Sequence, residues 1–125
     1  MDSLQTLNKF WNSFNLKAYD ENTVPDNAMT ANDGKYITYS VSTAYFDEPV
    51  ALSASVWYKS TSWAEITQKA EEIGDAIGLG GKVIRFDGGG LWIKRGTPFS
   101  QRMSDEDDTI RRVYINIEVE YFRTN

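Results

Sequence analysis

Apolar residues recur along this chain with two different periods, and each change of period marks a new element. From Leu4, the residues Leu7, Trp11 and Phe14 follow at spacings of three and four, the single stripe that an amphipathic helix turns toward a core. Ser3 stands just before the stripe, where an N-cap is wanted, and the helix is expected to end near Asn15. The polar stretch through Asp20, Asn22, Pro25, Asp26 and Asn27 has no period, and Met29–Gly34 has turn chemistry, so both read as loop.

The period then drops to two. Over Lys35–Phe46, Ile37, Tyr39, Val41 and Tyr45 fall on one face, against Thr38, Ser40 and Ser42. Asp47-Glu48-Pro49 makes a turn, and over Val50–Lys59 Leu52, Ala54, Val56 and Tyr58 alternate with Ser53, Ser55 and Trp57. Two such strands joined by a short polar turn predict an antiparallel hairpin. Helical spacing returns with Trp63, Ile66, Ala70, Ile73 and Ile77. Ser62 and Glu65 stand in the capping-box relation before the stripe, and Gly78, Gly80 and Gly81 stop the helix. Lys82–Phe86 and Leu91–Lys94 read as short strands around Asp87-Gly88-Gly89-Gly90, with Trp92 as a core residue, and Gly96–Asp108 as a polar loop. The last strand, Arg111–Arg123, sets Val113, Ile115, Ile117, Val119 and Tyr121 against Tyr114, Asn116, Glu118 and Glu120. The order predicts one α+β domain spanning residues 1–125: a mostly antiparallel sheet with two helices packed on one face. The two helical stripes are expected to pack on the sheet face that carries Ile115, Ile117 and Val119.

Composition narrows the function more than the fold. The 125 residues include no Cys and no His. Disulfides, thiolate metal sites, the usual general base near neutral pH and every Ser-His or Cys-His nucleophile pair are thereby excluded. A net charge of -5 argues against broad binding to a phosphate backbone, which needs clustered cations. No apolar run reaches the roughly 18 residues of a membrane span, and the N-terminus lacks a signal-peptide layout, so a soluble cytoplasmic product is expected.

The candidate chemistry is correspondingly thin. Asp105-Glu106-Asp107-Asp108 lacks the alternating ligands and the glycine of a calcium loop, so a solvated loop, or one paired with Arg111 and Arg112, is the better reading. The glycines at 78–81 and 88–90 end a helix and turn a hairpin, and neither set opens a helix as a phosphate cradle does. Neither a catalytic residue nor a cofactor or metal is expected. Trp57 lies out of phase with the core, and two readings stay open: a second, partly covered sheet face, or an interface anchor. The stretch Gly96–Arg112 mixes Phe99 with Arg102, Arg111, Arg112 and the acids Asp105, Asp107 and Asp108. Opposed charges beside an apolar residue suit a contact between subunits, where they fix register. Trp57, Phe99, Arg102, Asp105, Asp107, Asp108, Arg111 and Arg112 are therefore the candidate interface residues.

At Ala54-Ser55-Val56-Trp57-Tyr58-Lys59-Ser60-Thr61-Ser62-Trp63 and through the Glu65–Ile73 helix, the chain resembles a family of small tailed-phage proteins known as minor capsid, tail-terminator or head–tail joining proteins. The likeness resumes at Gly81–Ile84, Trp92–Phe99, Arg102–Asp105, Asp108 and Ile110–Arg112, and covers the chain from Phe10-Trp11 to Tyr121, least well over Asp20–Gly34. The resemblance implies a structural virion protein of a long-tailed phage, assembled in the host cytoplasm and resident in the tail or neck. Such a protein forms a ring with copies of itself, usually six-fold, that caps the tail-tube protein and meets the head connector or stopper protein. DNA would pass through the ring without specific binding, and no membrane is involved. Another neck component, such as a head-closure or stopper protein, and a small-molecule or peptide-binding α+β module are the alternatives.

Overall fold

A computed structural model of the chain describes residues 2–42 and 48–124. Its elements run α1 (Ser3–Trp11), a 3-10 turn (Asn12–Phe14), β1 (Lys17–Asp20), α2 (Ala28–Ala31), β2 (Lys35–Tyr39), β3 (Pro49–Lys59), α3 (Ala64–Ile77), β4 (Lys82–Phe86), β5 (Gly89–Met103) and β6 (Ile110–Arg123). The strands form one six-stranded sheet in the order β1-β2-β3-β6-β5-β4. Among the described residues only the β1–β2 pair is parallel. The fold is α+β, with α1 and α3 sharing one core against one sheet face.

Alternation along the central strands sets that face. Leu52, Ala54, Val56 and Tyr58 of β3 lie in register with Ile117, Ile115, Val113 and Arg111 of β6, and all but Arg111 are buried. Leu7, Phe10, Trp11 and Phe14 come down from α1 and its 3-10 extension, and Ile66, Ala70, Ile73 and Ile77 from α3. Fully burying an aliphatic or aromatic side chain of this size contributes about 1.5–3 kcal/mol, so this layer dominates stability.

Several local expectations are corrected. Asp2, not Ser3, caps α1: its carboxylate accepts from the Gln5 amide at 2.8 Å, and the Gln5 side chain accepts from the Asp2 amide at 3.1 Å. Leu4 lies outward, 51% exposed, and Phe10 belongs to the core stripe instead. The Ser62–Glu65 box does not form. Trp63 occupies the cap position, Ser62 Oγ accepts from the Ala64 amide, and Glu65 turns away to Lys35 Nζ at 3.0 Å. The polar stretch before residue 35 contains β1 and the one-turn α2. β2 ends at Tyr39; the expected extension over 43–46, Tyr45 with it, and Asp47 of the expected turn lie outside the described residues.

The largest correction concerns Gly96–Asp108. Residues up to Met103 belong to β5, which pairs with β6 from Gly89↔Arg123 to Met103↔Arg112. Register shifts between Arg95↔Ile117 and Ser100↔Ile115, so residues 96–99 bulge out opposite Asn116. The bulge holds a cis Thr97–Pro98 bond, and Asn116 Nδ2 donates to the Pro98 carbonyl at 2.9 Å. Only 104–109 remain as the connecting turn. Trp92 is likewise not in the core: Leu91 and Ile93 take the inward positions, and Trp92 stands on the other face, donating to the Gly80 carbonyl under Lys94. Among the described residues no helix is long and apolar enough to cross a membrane.

Candidate interaction surface

Strand phase turns Tyr36, Thr38, Ser53, Ser55, Trp57, Arg112 and Tyr114 to the outer face of β2, β3 and β6. Cross-strand register lines up Tyr36, Trp57 and Arg112 in one row, with Thr38, Ser55 and Tyr114 in the next. The Tyr36 and Trp57 rings stack with centroids 6.1 Å apart and planes 13° apart, and Tyr19 of β1 meets Tyr36 edge-on. Trp57 Nε1 donates to Thr38 Oγ1 at 3.0 Å, which fixes the indole. The Arg112 guanidinium lies 4.6 Å from the Trp57 ring centroid and 5.7 Å from that of Tyr114. Its Nε donates to Ser55 Oγ at 3.0 Å, burying that hydroxyl.

The result is a shallow cleft of about 450 Å³ whose lining includes Glu21, Val24, Tyr36, Trp57, Arg112 and Tyr114. Among the described residues the terminal nitrogens of Arg112 have no hydrogen-bond partner, so a pre-oriented fork is available to a carboxylate. Burial raises the Tyr36 pKa, and the Asp105 and Tyr19 charges add to the effect, so the phenol stays a neutral donor. The chemistry is that of recognition: rigid rings, a held guanidinium and hydroxyls.

The β5–β6 turn carries the acids. Asp105 Oδ1 accepts from the Asp107 amide at 2.9 Å; Asp107 Oδ1 accepts from the Thr109 amide at 2.8 Å and its hydroxyl at 2.6 Å. Those Thr109 bonds hold the Asp107 pKa below the usual carboxylate value. Arg111 donates to the backbone carbonyls of Asp108 and Thr61, both at 2.9 Å, rather than to a carboxylate. Among the described residues no ion pair joins these acids to Arg102, Arg111 or Arg112. The acids shape the turn and point outward, and no group of three or more acidic side chains there could hold a metal.

The eight expected residues therefore divide. Trp57 and Arg112 share the outer cleft. Arg102 and Arg111 meet over the ring of Trp63, at 4.9 and 5.2 Å, on the helix side of the sheet. Asp105, Asp107 and Asp108 sit on the turn. Phe99 lies apart, in the bulge, partly buried against the core: a Cβ built on Gly74 of α3 would come within 3.0 Å of its ring. A groove of about 400 Å³ runs there between α3 and β5, with Arg95 Nε donating to the Gly74 carbonyl at 2.9 Å. Tyr19, Tyr36 and Tyr114 were not singled out from the sequence. Tyr36 shares phase with Thr38 and Tyr114 with Asn116, so outward direction was readable, but their meeting depends on register.

No protein-family model matches the chain, and no curated protein matches its sequence. Among solved structures, the fold is similar to a chain of one described as "Virion of native gene transfer agent (GTA) particle", with a TM-score of 0.57 and 19% identity, over 96% of this chain and 85% of that one. At that identity the likeness is one of fold.

Proposed function

We propose that this chain is a structural virion protein of a long-tailed phage, a ring-former that caps the tail tube and joins it to the head connector. The observation that carries the proposal is the near full-length fold likeness to a chain of a gene transfer agent virion. It agrees in direction with the tailed-phage resemblance at Ala54–Trp63, Trp92–Phe99, Arg102–Asp105, Asp108 and Ile110–Arg112. Those segments fall on the second half of β3 and the turn after it, on β5 with its bulge, and on the β5–β6 turn. The proposal assigns no catalytic step and no cofactor. It gives the cleft around Trp57 and Arg112, and the acidic turn, to contacts with like subunits, the tail-tube protein or the head connector. With a net charge of -5, a lumen built from this chain would let DNA slide without gripping its phosphates.

The test is removal of the gene from its phage. A tail terminator predicts filled heads beside separate tails of uncontrolled length, restored to joined particles by the chain in trans. Tails of normal length beside heads that have leaked their DNA would move the chain to the stopper role. Fully joined, infectious particles would overturn the proposal. A peptide-binding module is the second reading, favoured by the Trp57–Arg112 cleft, and predicts a chain that stays monomeric and absent from particles.

A further inference from the structure

The two ends of the long β5–β6 pair carry clusters of opposite charge. At one end, α1 and the edge strand β4 leave a groove of about 260 Å³ over Phe10 and Ile84, rimmed by Lys9, Lys82 and Arg85. All three cations are exposed, and none has a hydrogen-bond or ion-pair partner among the described residues. At the other end, the β5–β6 turn presents Asp105, Glu106, Asp107 and Asp108 beside Met103, which is 36% exposed. The Glu106 and Asp108 carboxylates accept no hydrogen bond among the described residues.

These ends cannot meet within one molecule. β4 pairs with Gly89–Ile93, which pairs with the stretch from Val119 to Arg123, whereas the turn closes at Met103↔Arg112. From Arg112 to Arg123 an extended strand spans roughly 30 Å or more at about 3.3 Å per residue. That is several Debye lengths at physiological salt, where the screening length is about 8 Å. We propose that the acidic turn of one copy docks into the basic α1–β4 groove of the next copy. The inference rests on the self-association part of the proposed function and names its surfaces.

Charge complementarity selects a second copy as the occupant. Three unpaired cations face four acids, two of which already hold the turn in shape, so little ordering is needed on contact. Met103 supplies an apolar tip for the Phe10–Ile84 floor. Because donor and acceptor surfaces lie at opposite ends, the contact is head-to-tail, which closes a ring or continues as a filament according to the rotation between copies.

Reversing the charges tests it. One variant carries Lys82→Glu with Arg85→Glu; the other carries Glu106→Lys with Asp108→Lys, leaving the turn-holding Asp105 and Asp107 in place. Sedimentation velocity over a concentration series, with circular dichroism as the check on folding, is the readout. The wild-type chain should self-associate, less so as salt rises, and each variant alone should associate roughly tenfold or more weakly. Mixed in equal amounts, the variants should recover association, since the acidic turn of the first variant then faces the unchanged basic groove of the second, as in the wild-type contact. A wild-type chain that stays monomeric, folded variants that associate like wild type, or a mixture that recovers nothing would each overturn the docking. Mass spectrometry of purified particles separates this from the proposed function. A chain present in joined particles despite indifferent variants retires the docking alone, and a self-associating chain missing from particles retires the virion role alone.

Discussion

The two faces of β3 and β6 are made by alternate residues of the same strands, yet they are held by different physics. Inward, Val56, Ile115, Ile117 and Val119 are at or below 1% exposure, and their packing is set by volume. Outward, Trp57, Arg112 and Tyr114 are half-buried and arranged by direction: a stack, a guanidinium over a ring, and two hydrogen bonds. A face held by volume resists change and specifies the fold. A face held by directed contacts at its solvent boundary contributes less stability and keeps its groups available to a partner.

Substitutions can break that contrast. Ile117→Ala, which leaves a cavity at the centre of the inner face, should cost about 2–5 kcal/mol in urea denaturation. An unchanged midpoint would mean that the inner face is not the one that holds the fold. Next in size is Gly96→Ala, at the start of the bulge. The added Cβ would come within 2.8 Å of the Asn116 backbone, and strain of about 1–3 kcal/mol should appear in the same measurement. A neutral result would mean that β5 and β6 separate freely there.

On the outer face, Trp57→Ala removes the Tyr36 stack and the Arg112 platform together. About 0.5–1.5 kcal/mol is expected for the aromatic pair and about 0.5–1 kcal/mol for the exposed cation–ring contact. A loss matching that of Ile117→Ala would erase the distinction between the faces. Two tyrosines at the inner face sharpen it through pH. Burial raises the Tyr121 pKa, and burial followed by the Glu65 and Glu72 charges raises that of Tyr58. Groups whose folded pKa lies above the unfolded one stabilise fully below the unfolded value, about 10, and lose that contribution as pH rises through the folded value. Denaturation midpoints should therefore fall above about pH 10, and Tyr121→Phe with Tyr58→Phe should flatten that fall. The smallest effect belongs to Glu65→Gln. Its partner Lys35 and Glu65 itself are 44% and 69% exposed, so under about 1 kcal/mol should be lost, and less at high salt.

Phe99 shows how the candidate site divides between sequence and structure. Its neighbours in the chain are polar, so it reads as an exposed anchor in a loop. The bulge turns its ring onto α3 at Gly74 instead, where the absent side chain makes room. Phe99→Ala should thus lower monomer stability, by less than the 3–5 kcal/mol or so of a fully buried phenylalanine. Any weakened assembly must be measured against that loss. β1 was illegible for a related reason: of its four residues only Ala18 is buried, too few for alternation to register.

By itself the sequence determined the helical stripes of α1 and α3, the inward positions of β3 and β6, and the exclusion of His and Cys chemistry. Each follows from residue type and spacing within a single element, where side-chain direction is fixed by the backbone period. Tertiary structure alone decided that 96–103 is strand, that Trp92 faces outward, and that Arg112 lies over Trp57 while Arg102 and Arg111 share Trp63. These depend on pairing between distant segments. β5 pairs with β6 from Arg112 to Arg123, and it keeps that pairing only by bulging around Asn116. A register set across three strands has no signature in any one of them, because the backbone hydrogen bonds that fix it are made by every residue alike.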